Sequence, residues 1–157
     1  MDGAKHLAQI NVGKLLHPKG DPRMSGFFDN LDRINAIADR MPGFVWRLKD
    51  DTGNATDLRP FADPDLLVNL SVWESVEALE KFVWQTAHVA IYRNKQSWFV
   101  PMTTPHMALW WIDAGHIPTP AEGMERIEHL ATHGPGEFAF DWKSTPQAKL
   151  WQTARCA

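Results

Sequence analysis

Asn69, Ser71 and Trp73 stand at alternate positions of Leu66 to Trp73, a run whose other residues are Leu66, Leu67, Val68, Leu70 and Val72. Side chains alternate across a strand, so the amide, the hydroxyl and the indole share one face, and Val68, Leu70 and Val72 share the other. A strand buried on both sides has no use for such groups. One whose second face lines a cavity can orient a small molecule with them. Proton transfer would need an imidazole as well, and His88 is the candidate, with Arg93 and Trp98 close to it in sequence. If the helix that begins after Ser75 runs on unbroken, His88 faces solvent, away from the apolar stripe. A break near Gln85–Thr86 would turn it toward the cavity, as acid, base or ligand.

Other constellations carry less. Glu125, His129 and His133 recur at four-residue spacing, but they do not form HExxH and are expected to be a solvated helix face. Gly20 to Gly26 lacks the phosphate-binding glycine patterns, and no serine sits in a G-x-S-x-G elbow. With 16 basic against 19 acidic residues and no long Lys/Arg run, nucleic acid is not expected as a partner. No segment approaches the apolar length of a membrane span and the N-terminus has no export-type apolar stretch, so no membrane is expected as a partner, and a cytoplasmic location is. The lone Cys156 excludes an internal disulfide. At 157 residues and 44% apolar content, one domain over residues 1–142 is expected, with 143–157 as a polar tail.

The elements that must position these residues follow from periodicity. His6 to Val12 alternates as a first strand, with Gln9 and Asn11 opposite Ala8, Ile10 and Val12. Phe27, Leu31, Ile34, Ile37, Ala38 and Met41 give a helix over about 26–41, stopped by Pro42-Gly43. Phe44 to Lys49 alternates Phe44, Trp46 and Leu48 against Val45 and Arg47. After Leu66 to Trp73, Ser75 is placed to cap a helix with the stripe Val76, Leu79, Phe82, Val83, Thr86 and Ala90. Met107 to Asp113 is a fourth strand, Thr119 to His133 a third helix, and Glu137 to Trp142 a short possible strand. Strand, helix, strand, strand, helix, strand is the α+β, ferredoxin-like split βαβ order, with a four-stranded antiparallel sheet and here an extra C-terminal helix.

Two helices cover one face of such a sheet. The other face, holding Gln9, Asn11, Arg47, Asn69, Ser71, Trp73, Leu109 and either Trp110 or Trp111, is then expected to be open. A second copy laid against it would close a barrel around a cavity, making the protein a homodimer. The alternative is that the C-terminal helix folds over this face and leaves no cavity.

His6–Asn11, Asp32–Ala36, Pro42–Leu48, Asn69–Ser75 and Leu109–Ile112 resemble the uncharacterised bacterial domain-of-unknown-function family numbered 3291. The resemblance implies the dimeric α/β-barrel superfamily, which is similar to the antibiotic-biosynthesis monooxygenases, the EthD-like proteins and the haem-degrading monooxygenases. By that resemblance Asn69 and Trp73 would position an electron-rich phenolic substrate that itself reduces oxygen, with no cofactor. The haem-degrading relatives imply the alternative, a haem with His88 as axial ligand. The expectation is a small-molecule enzyme of monooxygenase-like type acting on an apolar or aromatic substrate in a cavity on the open sheet face. Its catalytic residues would be His88, Asn69 and Trp73, with Arg47, Ser71, Asn11, Arg93, Trp98, Trp110 and Trp111 binding substrate. A non-catalytic module that sequesters a ligand is the third reading.

Overall fold

The computed structural model describes residues 3–18, 20–49, 66–86, 93–101 and 105–145. Strand β1 (Lys5–Lys14) leads through a short 3-10 turn into helix α1 (Ser25–Arg40), followed by β2 (Phe44–Arg47), β3 (Leu66–Trp73), α2 (Val76–Gln85), β4 (Met107–Asp113) and α3 (Pro120–His133). The strands form one sheet in the order β2-β3-β1-β4, and every neighbouring pair is antiparallel. This is the ferredoxin-like topology that the element order predicts.

Local signals start and stop the helices. Ser75 Oγ accepts the Ala78 N–H at 3.1 Å and Thr119 Oγ1 accepts the Glu122 N–H at 3.1 Å, each satisfying an orphan donor of a first turn. After α1 the chain turns at Gly43, whose φ of +87° suits glycine and whose missing side chain leaves room for Ala78 of α2. α2 ends at Gln85, because Thr86 is extended, with φ −122° and ψ −173°. The break weighed from sequence is therefore present. His88 lies outside the described residues.

The pairing register assigns the two faces. Leu7, Gln9 and Asn11 of β1 stand opposite Trp73, Ser71 and Asn69 of β3, with Trp111, Leu109 and Met107 of β4 on the other side. On the reverse face, Ala8, Ile10, Val12, Val68, Leu70, Val72, Ala108, Trp110 and Ile112 form one buried cluster with Ile127 and Leu130 of α3. The face bearing the indole and amides is the one that α1 and α2 cover. Leu7, Trp73 and Leu109 pack with Ile34 and Ala38 of α1 and Val76, Leu79 and Phe82 of α2.

This corrects the expected arrangement. The polar face is not the open one: α1 and α2 lie over it, and α3 lies over the apolar face that those two helices were expected to cover. α3 approaches closely because Gly123 has no Cβ, which would overlap Ile10 Cδ1. The Trp110 indole N–H donates to Glu122 Oε2 at 2.9 Å, and Arg126 lies over the Phe138 ring at 3.7 Å, so α3 is also anchored by polar contacts. The alternative from sequence was half met. The C-terminal helix does cover the sheet, but the face it covers is the apolar one, and a cavity survives on the other.

β2 departs from simple alternation. Its register with β3 shifts between Phe44 and Trp46, so Phe44 faces Trp73 on the α1/α2 side while Trp46 and Leu48 pack into the α3-side cluster. A bulge inserts one residue and reverses the phase beyond it, which brings Arg47 onto the side of Phe44.

Candidate functional site

Between the sheet and the first two helices lies a cavity of about 440 Å³. Its closed end is aromatic. Trp73, 1% exposed, stacks on Phe82 with ring centroids 5.3 Å apart and takes the edge of Phe44 at 5.4 Å. Phe27, Leu31 and Ile34 of α1 add apolar wall, with Phe99 and Met107. Helices seat well on Leu7 and Trp73 but would leave an amide beneath them unpaired at a cost of about 1–3 kcal/mol. Gln9, one row further along the sheet, is buried but hydrogen-bonded, and Asn11 and Asn69, two rows further, remain exposed on the floor.

The floor is a directed hydrogen-bond chain. The Trp73 indole N–H, a donor only, points to Ser71 Oγ at 2.9 Å. Gln9 Nε2 donates to the same Oγ at 2.7 Å and to Asn69 Oδ1 at 2.6 Å. Ser71 Oγ thus receives two N–H groups, which engage both its lone pairs and leave its own proton to donate. Asn69, its oxygen held by Gln9, has its Nδ2 hydrogens left for the cavity. The array presents donors to an oxygen of whatever lies above it.

Arg47 borders the same floor, but Asp39 of α1 engages its guanidinium, with Nε to Oδ1 at 2.7 Å and Nη2 to Oδ2 at 3.2 Å. Hydrogen bonding from Arg47 holds the Asp39 carboxyl below its ordinary value. The cation expected to hold substrate is therefore neutralised in place, and it ties β2 to α1. Lys95 and Lys143 also border the cavity, both exposed, at its rim.

Five of the expected residues come together on this wall: Asn11, Arg47, Asn69, Ser71 and Trp73. Four others described by the structure do not. Trp110 is on the reverse face beneath α3, because residues adjacent in a strand point oppositely. Trp111 shares the cavity's side of the sheet but sits on the outer strand, 42% exposed, with its ring 6.3 Å from Phe140. Trp98 packs against Phe27 beside Gly26, filling the space at the start of α1. Arg93 is exposed and away from the cavity wall. The position expected for the cavity is corrected with them: it is under α1 and α2, since that is the side to which the amides point.

Gln9 is the main residue that sequence reasoning left out of the site, although it was placed on the right face. Its role depends on the pairing Gln9↔Ser71, which alternation within one strand does not reveal. Asp141, Trp142 and Lys143 also border the cavity, from the segment after α3. His106 is the imidazole among the described bordering residues. Among the described residues no group of three or more His, Cys, Asp or Glu side chains could hold a metal ion. The residue suggested as a haem ligand, His88, lies outside them. No described helix is long and apolar enough to cross a membrane.

A β2-β3-β1-β4 sheet with two helices enclosing a cavity on one face, and a third helix sealing the other, defines a ferredoxin-like α+β domain with an internal chamber. The chain belongs to the family described as domain of unknown function DUF3291, which it matches over residues 6–156. No curated protein matches it. Among solved structures it is similar to PA3566 from Pseudomonas aeruginosa, at 11% identity and TM-score 0.48, over 74% of this chain and 100% of that one. It is also similar to SnoaB, a cofactor-independent oxygenase from Streptomyces nogalater, at 16% identity and TM-score 0.44, over 74% and 99%. Rv0793 from Mycobacterium tuberculosis matches at 18% identity and TM-score 0.46, over 73% and 99%.

Proposed function

We propose that the cavity binds a small, uncharged, largely aromatic molecule and that the protein oxygenates it in the manner of a monooxygenase without a resident cofactor. The observation that carries the binding part is the Trp73–Ser71–Gln9–Asn69 chain on the floor of an otherwise mainly apolar and aromatic chamber. Few, directed polar groups in an apolar pocket fix orientation while the walls supply affinity. The floor's cation, Arg47, is already paired with Asp39, which favours a neutral ligand over an anion.

The oxygenation part rests on the sequence resemblance and on what the floor can do. A phenol or the enol of an aromatic ketone becomes reducing when it loses a proton, for which His88 is the acceptor this reading takes from the sequence, and donors aimed at its oxygen stabilise the anion formed. Asn69 Nδ2 and the Ser71 hydroxyl are such donors. Oxidation of an activated ring methylene to a carbonyl by O₂ releases one water, the substrate supplying all the electrons. Trp73 holds Ser71 in place through its indole N–H and presents its ring as wall.

Oxygen uptake with a panel of hydroxylated naphthalenes and anthrones tests this. Asn69→Ala is expected to lower the rate by about a hundredfold, the scale of losing one donor to a developing oxyanion, with thermal stability nearly retained. Tight binding of these compounds with no oxygen consumed would favour a sequestering module instead. Neither binding nor uptake would end the proposal.

A further inference from the structure

After α3 the chain turns at Gly134, φ +77°, and comes back along the outer edge of β4. Phe140 and Leu109 exchange backbone hydrogen bonds of 2.8 and 2.9 Å, a short pairing where the sequence suggested a strand. The next residues form a closed turn. Asp141 Oδ1 accepts the Ser144 N–H at 2.9 Å and its hydroxyl at 2.8 Å, while the Thr145 hydroxyl donates to Asp141 O at 2.6 Å. Thr145 is only 4% exposed. Trp142 lies inside this turn, its backbone fixed from both sides, in a stretch that straddles the expected boundary between domain and tail. Its indole meets that of Trp84 of α2 at 6.5 Å and 64°, and both border the cavity next to Phe82 and Val83.

Two half-buried indoles held edge to face at the wall of a chamber are suited to a flat ring, because the positive edge of one aromatic system attracts the negative face of another. A saturated ring of the same outline has no such quadrupole. We propose that Trp142, with Trp84, forms an aromatic clamp that selects ligands bearing an aromatic ring, so that the segment after α3 carries a specificity-determining residue. This rests on the cavity being a ligand site. The clamp grips the ring while the amide and hydroxyl floor receives the ligand's oxygen.

Calorimetric titration with 2-naphthol and with decahydro-2-naphthol, its saturated counterpart, tests the clamp. The wild-type protein is expected to prefer 2-naphthol. Trp142→Ala is expected to weaken 2-naphthol by about tenfold and the saturated alcohol by less than about twofold, collapsing the preference, while Trp142→Phe retains most of it. Equal weakening of both probes would show that Trp142 merely supports the fold, and no change in either would show that it does not touch the ligand. Either result overturns the clamp and leaves the cavity as a binding site. If the wild-type protein binds neither probe, the binding proposal fails and the clamp with it.

Discussion

Ser71 carries more of the site than its size suggests, because Trp73 is 1% exposed and its indole N–H has Ser71 Oγ as acceptor. Ser71→Ala leaves that donor buried and unmatched, a loss of about 1–3 kcal/mol in urea denaturation. Combined with Trp73→Phe, which removes the stranded N–H but leaves a void, the double variant is expected to lose less than the two single losses summed; a strictly additive double variant would show that the bond contributes nothing. Asp39 gives a prediction in pH. Arg47 depresses its carboxyl below the ordinary 3.8, so the stability the pair contributes is fully present above that value and is lost as the pH falls through the lower, folded value. Wild type and Asp39→Asn, compared by denaturant titration from neutrality downward, should differ most above pH 4 and converge in stronger acid. A gap independent of pH would mean that the carboxylate's charge is irrelevant to the contact. The amide, hydroxyl and indole of the site were legible as a face of one strand, because side-chain alternation is a local property. Gln9's bridging role and Asp39's hold on Arg47 were not, because each depends on which residue of another element stands opposite.

Elements were predicted well where a local rule governs them. β3 and β4 have the limits read from sequence, α2 starts after the expected Ser75 cap, and α3 covers the range expected from Thr119 to His133 but for Thr119 itself, which caps it. Ser75→Ala should cost about 1 kcal/mol of stability, the usual value of an N-cap, and Ser75→Asp should restore it. The β2 bulge was invisible, because Phe44 to Lys49 alternates evenly by type and only its register against β3 shows the shift. Seating of α3 was equally hidden. Gly123→Ala improves helix propensity by about 1 kcal/mol, yet its Cβ would intrude on Ile10, which is fully buried. Overpacking of about 1–3 kcal/mol should win, giving a lower denaturation midpoint. A stabilised variant would show that α3 can shift away from the sheet without loss.

At the scale of the whole molecule, the case for a homodimer was an open, half-polar sheet face. α1 and α2 take up that face and α3 covers the apolar one within the same chain, so the open face that argued for the dimer is gone, while association itself is a matter for measurement in solution. Light scattering of this chain decides the matter: 17.8 kDa reads as a monomer and twice that as the homodimer. The exposed large apolar side chains among the described residues that a dimer could use are Leu16, Val45, Val100, Trp111 and Ile117. The amino-acid order by itself determined the strands, the helices, their caps and the split βαβ succession, because hydrophobic period and capping chemistry act over a few residues. Which face each helix covers, that the chamber opens beneath α1 and α2, and that Trp142 reaches it from the far end of the chain were decided only in three dimensions. Both faces of the sheet could bury apolar surface, and only the simultaneous fit of three helices to it distinguishes the one that seals from the one that leaves room.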